Sequence, residues 1–479
     1  MAEAMTEYQE ALRLKPELAE ARYGLSAICV RVGDLGGAIR LLRQVIKVMP
    51  NLSEARYNLA INLWNRYKNS TNLRLKSDLD EAVQELLAAS KLDPRQPKIL
   101  AALGQILVER QALGSAVENL RKAVELAPDD PNFRYDLGLA LRLNGELDAA
   151  ESEFREVVKY NPRHAPAHRA LGLILRQKGD FEAALAELRT SVKEHSEEPQ
   201  GHHLLGTVLV KLNNLDEAIA EFRQALRLDP YLSEARINLA QTLQKIGQKE
   251  EAQREVAESK KIDAEKAGIG RAMVLIEAAS GHLKTAELTK AVGELREAAT
   301  VSPKFPEAHY QLGLVLRQIS ANPESEAAFR RVLELDSDHA PAHHQLGLLL
   351  RKRCDNENAA AEFRKAIQLA PSLTEAHREL GRIALDARDW VGAAANFKIW
   401  LAWEPDSADA HYCLGHTLLQ QGSLDETITE LRAALNLRDK MAQAHYDLAI
   451  ALKAKGQLEE AAREIRIAQK LDPTLRPPD

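Results

Sequence analysis

Apolar residues along this chain fall three and four positions apart in short stretches, and the stretches themselves return at one constant interval. The segment Ser233-Glu234-Ala235-Arg236-Ile237-Asn238-Leu239-Ala240 is one such stretch; it breaks near Gly247 and resumes from Glu250 to Ile262. Spacing of this kind puts apolar side chains on one face of a helix, so each period predicts a helix, a tight turn and a second helix. The clearest copy runs from His309 to Arg317 and returns one period later from His343 to Arg351. A fixed period of this length signals an array of one supersecondary unit, not a series of unrelated globular domains.

With Ala19 as the first residue of a repeat, repeats begin at 19, 53, 97, 131, 165, 199, 233, 267, 306, 340, 374, 408 and 442. Eleven of the thirteen share one length; the second carries ten extra residues and the eighth five, placed around Gly281 to Thr289. Position 7 is Leu in twelve repeats and position 8 is Gly, Ala or Ser in twelve, a large knob beside a notch. Position 20 is Ala in eleven, and position 24 is apolar throughout, as Phe154, Phe222, Phe329, Phe363 and Phe397 illustrate. Small and large residues in alternation let paired helices approach closely. Position 32 is Pro in nine repeats, where its missing N–H and fixed φ stop the second helix.

These positions resemble the tetratricopeptide repeat family from about Ala4 to Pro473. The resemblance implies an all-α fold, a right-handed superhelical solenoid of antiparallel helix pairs. It divides the chain into an orphan second helix (1–18), seven repeats with an insertion near 68–77 (19–266), a degenerate repeat or joint (267–305), five repeats (306–475) and a short tail (476–479). In the eighth repeat Val274 occupies the notch position, and Gly268 and Gly270 dilute the helix. The family has a bulky aromatic at position 4; this chain has His168, His202, His309, His343, His377, His411 and His445 there, or Arg22, Arg56, Arg134 and Arg236, which predicts a more polar contact. If those imidazoles pack neutral, acid near pH 5 should loosen the last five repeats first.

Composition narrows the function. Aromatic residues are only 5% of the chain, and no apolar run approaches the roughly 18 residues that suggest a membrane span, so no membrane role is expected. Sixty-four basic and 70 acidic residues are interspersed, which leaves no basic domain for nucleic acid. Cys29, Cys354 and Cys413 are scattered and odd in number, as in a reduced compartment. The start of the chain lacks a signal-peptide pattern; the expected location is the cytoplasm, or periplasmic or secreted for a fragment without its leader. Nucleotide-binding, zinc-protease and nucleophile-elbow motifs are absent, so neither catalysis nor a cofactor is expected. The segments His164 to His168 and His339 to His343 space histidines four apart, but Pro166 and Pro341 place them at helix starts, and no metal site is assigned.

Positions 2, 5, 9 and 12 of the first helix share one face, which by the resemblance lines a concave groove. Position 5 holds Tyr23, Tyr57, Tyr135, Tyr310, Tyr412 and Tyr446, with His203 and His344; six of the chain's ten tyrosines therefore lie on one line. Exposed tyrosines offer rigid area with a hydrogen-bonding tip. Basic groups gather at Arg142, Arg169 and Arg176, and again at Arg317, Arg351, Arg378 and Arg382, which favours carboxylate or phosphate on a partner. Tyr135, Arg142, Arg169, Arg176, His203, Tyr310, Arg317, His344, Arg351, Arg378, Arg382, Tyr412 and Tyr446 are the candidate partner-binding residues. The pattern departs from the family's peptide-carboxylate clamp, since position 9 never carries Asn, and from the asparagine ladder of O-linked N-acetylglucosamine transferases, since only Asn58 and Asn238 fall at position 6.

The expected function is a non-enzymatic scaffold that holds an extended peptide or helix of a partner protein with acidic groups. Two alternatives are the repeat arm of a larger enzyme such as a glycosyltransferase, and self-association through uncapped ends. An RNA-binding reading fails on low basicity. The second repeat's insertion, Lys68 to Lys76, is expected to project as a basic loop whose deletion restores a regular repeat.

Overall fold

The computed structural model describes residues 2–15, 18–69 and 76–476, and every regular element among them is a helix. The chain divides into two compact bodies, body I of residues 1–55, 276–299 and 303–479, and body II of residues 56–275 and 300–302. Body I opens with α1 (Ala2–Leu14), α2 (Ala19–Arg31) and α3 (Leu35–Val48). The chain then enters body II through α4 (Ser53–Lys68) and continues with α5 (Lys76–Leu92), α6 (Pro97–Glu109), α7 (Leu113–Leu126), α8 (Pro131–Leu143) and α9 (Leu147–Tyr160). Next come α10 (Ala165–Lys178), α11 (Phe181–Glu194), α12 (Pro199–Lys211), α13 (Leu215–Leu228) and α14 (Ser233–Lys245). Helix α15 (Lys249–Lys284) leads to α16 (Leu288–Val301), α17 (Pro306–Gln318), α18 (Asn322–Leu335), α19 (Ala340–Lys352), α20 (Asn356–Leu369) and α21 (Thr374–Asp386). The last are α22 (Trp390–Trp403), α23 (Ala408–Gln421), α24 (Leu424–Leu437), α25 (Ala442–Ala454) and α26 (Leu458–Leu471).

The turn inside each pair has one conformation. Position 15 is left-handed in every repeat whose turn is described, with Gly at six of them, such as Gly145 (φ 86°), and other residues at six, such as Cys354 (φ 62°). A side chain there costs about 1 kcal/mol. Several second helices start on an Asp whose carboxylate accepts from the backbone, as Asp180 does from Ala183 N–H at 3.1 Å and Asp389 from Gly392 N–H at 2.9 Å.

Knob and notch meet inside each pair. Phe154, Phe222, Phe329, Phe363 and Phe397 are fully buried. Their rings lie where a Cβ on Gly138, Gly206, Gly313, Gly347 or Gly381 would come within 2.4–2.7 Å, so only glycine fits opposite a phenylalanine. The packing of each body repeats this contact, and burying one such ring is worth roughly 2–3 kcal/mol.

Position 4 turns out to be an anchor. His168 places Nδ1 2.6 Å from Glu187 Oε2 and Nε2 3.0 Å from the Pro162 carbonyl, and His343 does the same with Glu362 (2.6 Å) and the Ser337 carbonyl (3.0 Å). Arg236 reproduces the geometry, donating to Glu255 at 2.6 Å and to the Pro230 carbonyl at 2.8 Å. The residue thus joins the second helix of its own repeat to the end of the preceding one. Two acceptors suit a cation, and His or Arg fills this position in eleven of the thirteen repeats. The position-4 imidazoles of His168 and His343 are therefore hydrogen-bonded anchors, and both are raised above the ordinary histidine value, His168 chiefly by the Glu187 carboxylate and, against the opposing effect of burial, His343 by Glu362 and the Ser337 carbonyl.

The turn expected before residue 267 is absent: α15 runs unbroken for 36 residues. Between Gln248 and Ala267 the chain has neither Pro nor Gly, and Ala264, Glu265 and Lys266 are good helix formers, so nothing stops the helix. The left-handed turn of this repeat falls at Ala286, which sets the repeat's start at 272 and moves the five extra residues to 267–271, between repeats. Val274 is then no notch residue and is 67% exposed, whereas Ala279 is buried in one cluster with Leu295.

The insertion is flanked by lengthened helices, α4 of 16 residues and α5 of 17. Arg66 grips Asp78 across it with two bonds, Nε at 2.6 Å and Nη2 at 2.8 Å. Residues 70–75, on which the basic-loop expectation rests, lie outside the described residues, as do 477–479 of the tail.

Within body I, α1 does not keep an open face. It packs against α2 and against α22. Trp403 is 1% exposed in a cluster with Leu12, Leu25, Cys29 and Leu41.

Candidate partner-binding face

The position-5 tyrosines are half-buried side chains, not an exposed ladder. In body II the Tyr135 ring lies 5.6 Å from Phe154 and 5.1 Å from His164. Burial raises its hydroxyl above the usual range, partly offset by the Arg169 guanidinium that hydrogen-bonds to it. Arg169 also pairs with Glu198 at 2.5 Å. Arg176 donates to Thr207 Oγ1 at 3.2 Å. Arg142 is half-buried, and its Nε has no hydrogen-bond partner among the described residues. Burial lowers the His203 imidazole below the ordinary histidine value, and Asn238 Nδ2 lies 2.9 Å from its Nε2. Asp136, which the sequence did not single out, is pushed by burial up to about 6 and accepts from Gln105 Nε2 at 2.6 Å.

Body I gathers more. The Tyr310 ring lies tilted 4.8 Å from His339 and 5.9 Å from Phe329, and burial pushes its hydroxyl up to about 12. His344 is 7% exposed; burial pushes it down to about 4, with Arg378 and Arg317 adding to the effect and Glu375 opposing it. Its Nε2 is buried without a hydrogen-bond partner among the described residues. Arg317 is exposed.

Three of the predicted arginines converge on one carboxylate. Glu379 is 4% exposed and receives the Arg351 guanidinium, Arg378 Nε at 3.1 Å and Arg382 Nη1 at 3.3 Å. Asp386 adds a longer contact to Arg351 at 3.6 Å. Arg378 also lies over the Trp400 ring, 5.9 Å from its centroid. Glu379 stands at position 6, beside and not among positions 2, 5, 9 and 12, so the periodicity of that face does not mark it. Arg351 comes from α19, and Arg378, Glu379, Arg382 and Asp386 from α21, so stacking of adjacent repeats builds the cluster. Planar guanidinium groups held this way present fixed N–H donors suited to a carboxylate.

Tyr412 and Tyr446 are half-buried near the end of body I. Burial raises Tyr412, whose ring lies 6.1 Å from His416. His416 in turn holds the buried Asp447 at 2.8 Å. The two spaced histidine pairs serve helix starts: His164 and His339 each accept a backbone N–H, from Ala167 and Ala342, at 3.1 Å. No helix among the described residues is long and apolar enough to cross a membrane.

No curated protein matches the chain. Solved structures similar to it include MamA from Desulfovibrio magneticus RS-1, 22% identical over 35% of this chain and 94% of that one, with a TM-score of 0.33. PilF of Pseudomonas aeruginosa is 18% identical, covering 44% of this chain and 95% of its own, with a TM-score of 0.40. A thermophilic TPR protein of Thermus thermophilus is 23% identical, covering 40% and 98%, with a TM-score of 0.33. Family models described as tetratricopeptide repeat match residues 135–199, 209–269, 276–340, 344–410, 380–435 and 412–475, and one described as TPR repeat matches 104–145. The matches by a single model span more than half of the sequence, on repeats whose helix pairs, turns and knob-in-notch contacts have just been described: the chain belongs to the tetratricopeptide repeat family.

Proposed function

We propose that this protein is a non-enzymatic interaction scaffold whose first helices in body I hold an extended peptide or helix of a partner protein through its acidic groups. The observation that carries the reading is the cluster at Glu379, where three guanidinium groups meet two carboxylates, Glu379 and Asp386. Glu379 orders the arginines without neutralising them, and a carboxylate on the partner completes the pairing. Arg317, one repeat earlier, extends the basic face, and the half-buried Tyr310 supplies a hydroxyl at its edge.

Co-purification with a tagged full-length chain, followed by peptide identification and calorimetry on the partner found, tests the reading. Replacing Arg317 and Arg351 by Ala together is expected to weaken binding by about 2–4 kcal/mol. Glu379 keeps Arg378 and Arg382 in that variant, so the helices stay paired. Unchanged affinity would move the site off this face.

A further inference from the structure

In body II, α8 packs on both α6 and α7, α12 on both α10 and α11, and α14 on both α12 and α13, so that each covers the groove between the two helices before it. Helix α14 covers α12 and α13 in this way: Phe222 and Ala225 are fully buried, Phe222 beside Leu239 and Leu243 of α14. Among the described residues the next repeat has no such cover, because the helix that would supply it is continuous with α15. The position of Phe222 is taken one repeat on by Val256, which is 42% exposed. Around it lies a groove of about 470 Å³ whose floor is Ile237, Ala240, Ala252, Val256 and Ser259. Ser259 is 3% exposed, and its Oγ has no hydrogen-bond partner among the described residues.

The rim differs from that of the covered groove. Lys249, Gln253 and Lys260 stand where the preceding repeat has Leu215, Ile219 and Leu226. An apolar floor with a charged rim is the make-up of a surface that is solvated alone and covered on binding. Eleven residues along a helix are about three turns, so Lys249 and Lys260 rise on the same side, roughly 16 Å apart along the axis. Asp263 also lines the groove, and it accepts from Ser233 Oγ at 3.1 Å. The same face of α15 continues past the groove through exposed Ala267 and Gly270 to Val274, five turns beyond Val256.

We propose that this face of α14 and α15 binds an amphipathic helix of a partner protein, with an apolar ridge on Ala240, Ala252 and Val256 and acidic side chains on Lys249 and Lys260. A helix is the occupant because the equivalent groove one repeat earlier is filled by a helix. The lysines select an acidic one, and a serine or backbone group on the ridge would meet Ser259. The surface shares no residue with the arginine face of body I.

The probe is a fluorescein-labelled synthetic helix of five turns with a Leu/Ala ridge flanked by glutamates eleven positions apart, titrated with the full chain by anisotropy. A control peptide carries Lys for each Glu. Saturable binding of the acidic peptide, at least tenfold tighter than the basic one, is expected. Val256→Glu should weaken it at least tenfold, and Lys249→Glu with Lys260→Glu should reverse the preference between peptides. Circular dichroism checks that these exposed substitutions leave the helices intact. The Arg317→Ala/Arg351→Ala variant should bind the probe as the parent does, which separates this surface from the arginine face. No binding, or binding indifferent to Val256→Glu and to peptide charge, overturns the proposal. Concentration-dependent mass in light scattering that Val256→Glu abolishes would show a second copy as the occupant and overturn it equally.

Discussion

Asp34 and Ser372 stand 338 positions apart and share a buried hydrogen bond: the Ser372 backbone N–H donates to Asp34 Oδ2 at 2.8 Å while Oδ1 caps α3 by accepting from Gly37 N–H, also at 2.8 Å. Arg40 reinforces the junction with donations to the Ser372 carbonyl at 3.3 Å and Oγ at 3.4 Å, and stands 3.7 Å from Glu404. Gly37 is there because a Cβ would lie 2.6 Å from the Ser372 side chain. One carboxylate thus does local and long-range work at once, and it fixes α1 to α3 on the α21–α22 pair of body I.

Asp34→Ala is expected to cost about 1–3 kcal/mol by leaving two buried N–H groups unpaired. Hydrogen exchange should quicken across α2 and α3 and at Ser372, with α24–α26 unchanged. Uniform protection in the variant would show that the Trp403 cluster alone holds the junction.

Gly347→Ala should destabilise body I by about 1–3 kcal/mol, because the added methyl meets the Phe363 ring at 2.7 Å. Adding Phe363→Leu should recover part of that loss, since Ala60 and Leu86 occupy the same two register positions and both are fully buried. Urea unfolding of the three proteins measures it; a double variant weaker than Gly347→Ala would show that shape is not the constraint.

Histidines should shape the pH profile in two opposite ways. Burial works against the charge on His343, but the Glu362 carboxylate and the Ser337 carbonyl outweigh it, so its folded value lies above the unfolded one. Its contribution is fully present below about pH 6.5 and is lost as pH rises through the folded value. His344, held near 4 by burial, contributes above about pH 6.5, and that contribution is lost as pH falls toward 4. Acid loosening of the later repeats therefore starts at packed histidines such as His344, not at those of position 4 that face a carboxylate. Thermal melts from pH 8 to 4 should show the alkaline loss reduced in His343→Gln and the acid loss reduced in His344→Gln. Identical profiles for both variants and parent would show the rings are solvated.

Glu379→Gln should act oppositely on stability and binding. Removing a buried carboxylate from three guanidinium groups is expected to cost about 3 kcal/mol. The freed arginines should then hold an acidic partner more tightly than in the parent. Denaturation and calorimetry on the same sample measure both, and weaker binding would make Glu379 itself the contact.

Much of body I and body II is local and was legible along the chain. Leu at position 7, Gly at 8, Phe or Leu at 24 and Pro at 32 specify a helix pair because each acts on neighbours within one repeat. The gathering of Arg351, Arg378 and Arg382 followed from the register of the repeat. Even the continuity of α15 is written in the absence of Pro and Gly from 248 to 267, although a repeat counted from residue 267 places the five extra residues after the helix and not before it. Tertiary structure alone decided the rest. Whether Tyr310 is a surface ligand or a packed ring depends on His339 and Phe329, and the charge of His343 depends on a carboxylate 19 residues away and a carbonyl six residues before. The Asp34–Ser372 bond lies furthest from any local rule. Sequence periodicity encodes which face of a helix is apolar, but which distant helix covers that face follows from accumulated packing angles, and no single repeat carries that information.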